Sequence, residues 1–121
     1  MTTPMQRTLA VIKEDALKYW KVEYWNHWAK RRIDLFNIID VLVLDNGFLG
    51  IQVCGSDYSS HRKKIMEEES ENTRAWLESG GRLEIWGWRQ LKIKRGGKAK
   101  KWVPRIADVL LVSGDLYWEE R

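Results

Sequence analysis

The sequence predicts a mixed α/β domain, a mixed central β-sheet flanked by two helices in the order helix, strand, strand, helix, strand, strand. Three observations predict it. Apolar residues recur at helical spacing near the N-terminus, a doubly apolar run precedes an Asp-Asn-Gly turn, and glycine pairs punctuate the rest. With 121 residues, 44% hydrophobic and 31% charged, positions 1–121 make one domain with room for one core.

The first helix is predicted from Leu9 to about Ala29, because Leu9, Ile12, Ala16, Tyr19, Trp20, Glu23 and His27 share one arc at 100° per residue. Asp34 to Leu44 reads as a central strand, since both of its alternating faces are apolar. Asp45-Asn46-Gly47 then turns the chain into a second strand, Phe48–Cys54. The polar cluster Ser56–Ser60 offers N-caps for a second helix that runs to about Ser79 and stops at Gly80-Gly81. Arg82–Trp88 reads as a third strand, with Leu83 and Ile85 facing one way and Trp86 and Trp88 the other. Trp102–Val112 reads as the last strand, with Pro104 near its start.

Composition excludes several classes. A single cysteine, Cys54, allows no internal disulfide. No apolar run can span a bilayer, and the first residues do not read as a signal peptide, so a cytoplasmic protein without a membrane partner is expected. The net charge of +4 conceals a local excess. Arg89, Lys92, Lys94, Arg95, Lys98, Lys100, Lys101 and Arg105 form a basic segment at about 89–105 that contains no acid, so the remainder is net acidic. A polyanion such as nucleic acid fits this excess, with Gly96-Gly97 as the tip of a hairpin or loop. A lysine-protected sheet edge fits it too. Most of the eight tryptophans read as packing anchors.

Three polar side chains interrupt patterns that otherwise read as buried. Glu23 lies within the first apolar arc, Asp40 interrupts the most hydrophobic strand, and Gln52 faces the same way as Cys54. A buried carboxylate needs a partner or a cation. Two carboxylates and an amide oxygen suit a hard cation, Mg²⁺ or Mn²⁺. The other reading pairs Asp40 with Arg31 or Arg32 and lets Glu23 reach water. The turn separates the registers: a three-residue loop pairs Leu44 with Phe48 and sets Asp40 opposite Gln52, on the face expected beneath the first helix. A two-residue turn would send Gln52 to the other face.

A helix with Glu23, a hairpin carrying Asp40 and then Gln52-Val53-Cys54, a second helix and a further strand resemble the PD-(D/E)XK nuclease superfamily. The resemblance covers about Leu9 to Trp88 and is closest to small phage-type, Holliday-junction-resolvase-like members. It implies a restriction-endonuclease-like core and a divalent-metal-dependent endonuclease that hydrolyses phosphodiester bonds of branched or structured DNA by in-line attack of an activated water. The metal would sit on Asp40, Gln52 and the Val53 carbonyl, with Glu23 as an outer acid. A homodimer, common in such relatives, would follow from action on two strands. Two positions depart from the pattern, because Gln52 replaces the usual acid and Cys54 the usual lysine. Lys63 or Lys64 on the following helix would then supply the missing cation. His61 is an alternative base or ligand. Two histidines and one cysteine argue against zinc, and Cys54 reads as a small strand residue rather than a nucleophile. Competing readings are a catalytically impaired DNA-binding module of the same fold, or a small phage interaction or inhibitor protein.

Overall fold

A computed structural model describes residues 2–121. Helix α1 (Pro4–Glu14) starts on a capping box: Thr3 Oγ1 accepts from the Gln6 amide, Gln6 Oε1 accepts from the Thr3 amide, and Pro4 opens the helix. It ends far short of Ala29, at Asp15 and a left-handed Ala16 (φ 57°). The chain then forms strand β1 (Lys18–Lys21) and a separate hairpin of β2 (Tyr24–Asn26) and β3 (Arg31–Ile33). The helical arc was a coincidence of spacing. Tyr19 and Trp20 have strong strand preferences, and pairing with Val43 and Leu42 holds them extended.

The expected strand Asp34–Leu44 is also corrected. Only β4 (Val41–Leu44) is extended. Before it, Leu35 bridges Ile39 around Phe36 and Asn37, both left-handed (φ 53° and 62°). Ile38 and Ile39 are fully buried by this tight turn, so their apolar character marked burial rather than extension. After the Asp45-Asn46-Gly47 turn, β5 (Phe48–Cys54) pairs Phe48 with Leu44, the three-residue register.

The second helical layer is broken rather than continuous. It comprises α2 (Tyr58–Lys63), a π-helical turn Lys64–Glu68, and α3 (Ser70–Glu78). It crosses over to β6 (Arg82–Lys92), which lies parallel to β5. Strand β7 (Lys100–Val112) returns antiparallel, and the Ser113-Gly114 turn leads into β8 (Asp115–Glu120), a strand the sequence reading did not assign. The sheet order is β1-β4-β5-β6-β7-β8, antiparallel except for β5 and β6. The architecture is therefore α/β with a mixed central sheet and three helices, not two, and the expected element order does not hold.

The sheet buries both faces. Ile12 of α1 packs with Val41, Val43, Leu49, Ile51, Trp86 and Trp88. On the other face Ile65 and Tyr58 pack with Ile38, Ile39, Leu83, Ile85 and Val109. Tyr58 lies directly on Gly87, where a Cβ would overlap its ring. The tryptophans divide. Trp86 and Trp88 are anchors, as expected, but Trp20, Trp25, Trp28 and Trp102 are exposed. No helix among the described residues is long and apolar enough to cross a membrane.

Candidate functional site

The turn before β4 builds the centre of the site. Because Leu35 bridges Ile39, the flanking residues Asp34 and Asp40 are brought side by side. A continuous strand would have held them roughly 20 Å apart. At the end of β1 the Val22 amide donates to the Asp40 carbonyl (2.8 Å), which delivers Glu23 to the same place. Carboxylate oxygens of Glu23, Asp34 and Asp40 lie within 4.8 Å of one another. Glu23 thus joins the site from a strand connection rather than from a helix. Asp34 was missed by sequence reading, although Phe36-Asn37 carried a usable signal, since asparagine tolerates the left-handed conformation of a turn.

Asp40 and Gln52 are cross-strand neighbours on one face. That face is covered by α2 and α3, not by α1, since Val41, Val43, Leu49 and Ile51 take the α1 side. Asp40 Oδ2 accepts from Gln52 Nε2 (2.7 Å) and from the Val53 amide (2.8 Å). Gln52 Nε2 also reaches Asp34 Oδ2 (3.3 Å), and its Oε1 faces Lys64 Nζ (3.4 Å). Lys64 Nζ pairs with Asp34 Oδ2 at 2.9 Å. Of the two candidate lysines, Lys64 therefore reaches the acids, whereas Lys63 is exposed on α2. Lys64 opens the π-helical turn, in which the Glu69 amide reaches back to the Lys64 carbonyl.

Arg32 pairs with Glu23 (2.9 Å) rather than with Asp40. Asp40 is therefore a buried acid beside two other carboxylates. Burial and the negative charges of Asp34 and Glu23 push its pKa up to about 9. Burial acts on Asp34 in the same sense, but its hydrogen bond with Asp40 and the Lys64 ammonium hold it below the ordinary value. The two shifts are opposed, so of the pair Asp40 is the acid held toward its protonated form.

The donor set fits a hard divalent cation. Lys21 and Arg32 pair with Glu23 and Lys64 with Asp34, whereas Asp40 has no cation of its own among the described residues, and an ion there would offset the burial and the neighbouring charges that raise its pKa. Asp40, Asp34 and Glu23 would hold it. Gln52 would contribute its oxygen only after turning its amide, because Nε2 now faces the acids. The Val53 carbonyl leaves β5 on the same edge as the amide that meets Asp40, so it also faces the acids.

Glu23, Asp40 and Val53 open into a cavity of about 560 Å³ that also contains Cys54, Asp57 and His61. His61 Nε2 lies 2.9 Å from Asp57 Oδ2, and Cys54 is close to both. Burial and the nearby Asp57 and Asp40 carboxylates push the Cys54 thiol up to about 12, so it stays protonated and is not poised as a nucleophile. A second cavity, of about 710 Å³, adjoins the first along Thr3, Pro4 and Gly55. Its walls carry Arg7, Arg89 and Arg105. Arg7 stacks on Trp102 at 3.5 Å, and its Nε is buried without a hydrogen-bond partner among the described residues.

The basic segment is a β-hairpin arm. Strand β5 stops pairing with β6 at Gly87, and β8 stops pairing with β7 at Ala107. From Trp88 and Pro104 outward only β6 and β7 remain, paired through Lys92 and Lys100. Arg89, Lys92, Lys94, Arg95, Lys98, Lys100 and Lys101 are exposed on it. Arg105, at its root, is half-buried and held by Glu120 (2.9 Å) and Tyr58. No protein-family model matches the chain, and no curated protein or solved structure gives a significant match.

Proposed function

We propose that the protein is a divalent-metal-dependent endonuclease that hydrolyses phosphodiester bonds of branched or structured DNA. One observation carries this reading: Glu23, Asp34 and Asp40 converge, with Glu23 and Asp40 lining a cavity that adjoins an arginine-lined groove and a basic arm, and Asp34 and Lys64 lining a separate cavity with Arg31 and Arg32. The order of α1, the β4–β5 hairpin bearing Asp40 and Gln52, a helical layer and the parallel strand β6 supports a restriction-endonuclease-like core. When bound, Mg²⁺ or Mn²⁺ supplies Lewis-acid polarisation of the phosphodiester and activation of the attacking water. Asp40, Asp34 and Glu23 present the anionic oxygens that hold the ion. Lys64 takes the role of the strand lysine replaced by Cys54, because its ammonium is fixed by Asp34 before substrate arrives and can offset charge developing on phosphate. Arg7, Arg105 and the arm position the DNA backbone by charge and need not read sequence.

A second reading, a catalytically impaired DNA-binding module, is favoured by the Gln52 and Val53 amides. They already donate to Asp40 Oδ2 from within the protein, which is the role a metal would otherwise fill.

Incubation of supercoiled plasmid and a four-way junction with Mg²⁺ or Mn²⁺, against a chelator control, tests the two. Metal-dependent cleavage that Asp40→Ala abolishes, in a variant that remains folded, is the expected result. Full cleavage by Asp40→Ala would overturn the site. Salt-dependent DNA binding with neither cleavage nor calorimetric metal binding would favour the second reading. Gln52→Glu, which adds a fourth carboxylate, is expected to tighten metal binding.

A further inference from the structure

The β2–β3 hairpin places large aromatic rings in water. Trp28 is 97% exposed, Tyr24 58% and Trp25 54%, and Trp20 on the neighbouring edge strand β1 is 75% exposed. The hairpin pairs only with itself, so the main sheet does not require these rings. Its loop is nevertheless built, since Asn26 Oδ1 accepts from the Trp28 and Ala29 amides, both at 2.9 Å, which sets Trp28 at the tip. The rings are interleaved with cations. Trp25 faces Arg32 across the strands, Lys30 and Arg31 are exposed beside it, and residues 24–33 contain no acid.

We propose that this hairpin is a stacking site for unpaired nucleotides, which makes DNA with single-stranded or splayed bases the preferred substrate class. The proposal rests on the DNA reading above. Indole faces combined with cations, with few exposed aliphatic groups among them, match bases carried on a phosphate backbone better than an apolar protein face or lipid tails. The placement gives the hairpin its purpose. It begins one residue after Glu23 and ends one residue before Asp34, two of the three clustered acids. Bases stacked on Trp25 and Trp28 would then lie within one short hairpin of those acids. In uninterrupted duplex the base faces are occupied by their neighbours and unavailable to indole.

Fluorescence anisotropy with labelled oligothymidylate, a splayed fork and a blunt duplex, all in chelator at low salt, tests the proposal without any cleavage. The Trp25→Ala/Trp28→Ala double variant should bind oligothymidylate and fork roughly ten- to hundredfold more weakly, with duplex affinity unchanged. Trp28→Ala alone, at the exposed tip, should show part of the loss with an unchanged circular dichroism spectrum, which guards against misfolding of the double variant. Unchanged affinity of both variants for oligothymidylate and fork would overturn the stacking site while leaving the metal centre and basic arm intact. Wild-type binding to phosphatidylserine vesicles but to none of the oligonucleotides would overturn both the stacking site and the DNA reading.

Discussion

Asp40 Oδ2 accepts a hydrogen bond from Gln52 Nε2 at 2.7 Å across the β4–β5 hairpin, and this contact joins a buried acid to a lysine on the helical layer. Gln52 offers its amide hydrogens to Asp40 and Asp34 and its oxygen to Lys64. A glutamate there could not donate to two carboxylates. Gln52 is therefore the residue whose amide lets Asp40 and Asp34 sit together.

The Asp40 proton makes stability depend on pH and, under the proposed function, metal affinity as well. Its folded pKa, about 9, lies above its unfolded value of roughly 3.9. The folded state then binds more protons between those limits, so Asp40's contribution is fully present below the lower limit and lost as pH rises through the upper one. Metal-free protein should lose stability from about pH 4 toward pH 9. Asp34, with its lowered pKa, contributes oppositely and only in the acid range. A divalent cation must displace the Asp40 proton, so Mn²⁺ affinity should rise with pH up to about 9 and binding should release close to one proton. Calorimetry in two buffers of different ionisation enthalpy measures that release, and Asp40→Asn should remove it.

Lys64 and Lys63 are adjacent in sequence but unequal in position. Lys64→Ala should lower kcat by about 10²-fold, the scale of losing one charged stabiliser of the transition state, with little change in KM. Lys63→Ala should behave as wild type. Equal losses from both would show that only the net charge of α2 matters.

The arm predicts a uniform electrostatic effect. Neutralising Lys98, Lys100 and Lys101 together should weaken binding to every DNA sequence alike and flatten the log–log salt dependence by about two to three units. Filter binding over a salt series measures the slope. An unchanged slope with increased aggregation would assign these lysines to edge protection instead.

Gly87 is a packing constraint beneath the arginine-lined cavity. A Cβ at this position would meet the Tyr58 ring, which is held between Gly87, Trp118 and Arg105. Gly87→Ala should therefore destabilise the fold by about 1–3 kcal/mol, measured by urea unfolding, as Tyr58 is displaced.

What the sequence by itself determined is local. Asp45-Asn46-Gly47 limited the hairpin to two registers, because a turn's geometry depends on a few adjacent residues, and the chain takes the one that places Asp40 opposite Gln52. The basic arm and the opposite facing of Leu83 and Trp86 were legible for the same reason, being properties of charge and of period-two alternation. Distant partners decided the rest. Tyr19 and Trp20 fit a helical arc until pairing with Val43 and Leu42, more than twenty positions away, holds them extended. Ile38 and Ile39 look like strand residues, yet they turn into the core and draw Asp34 against Asp40. The face that receives Gln52 depended on which helix packed where, and α1 took the side lined by Val41 and Ile51. Apolar character measures how much a residue gains from burial, and it is silent on which partner provides that burial. The third acid of the site therefore became visible only when the chain closed on itself.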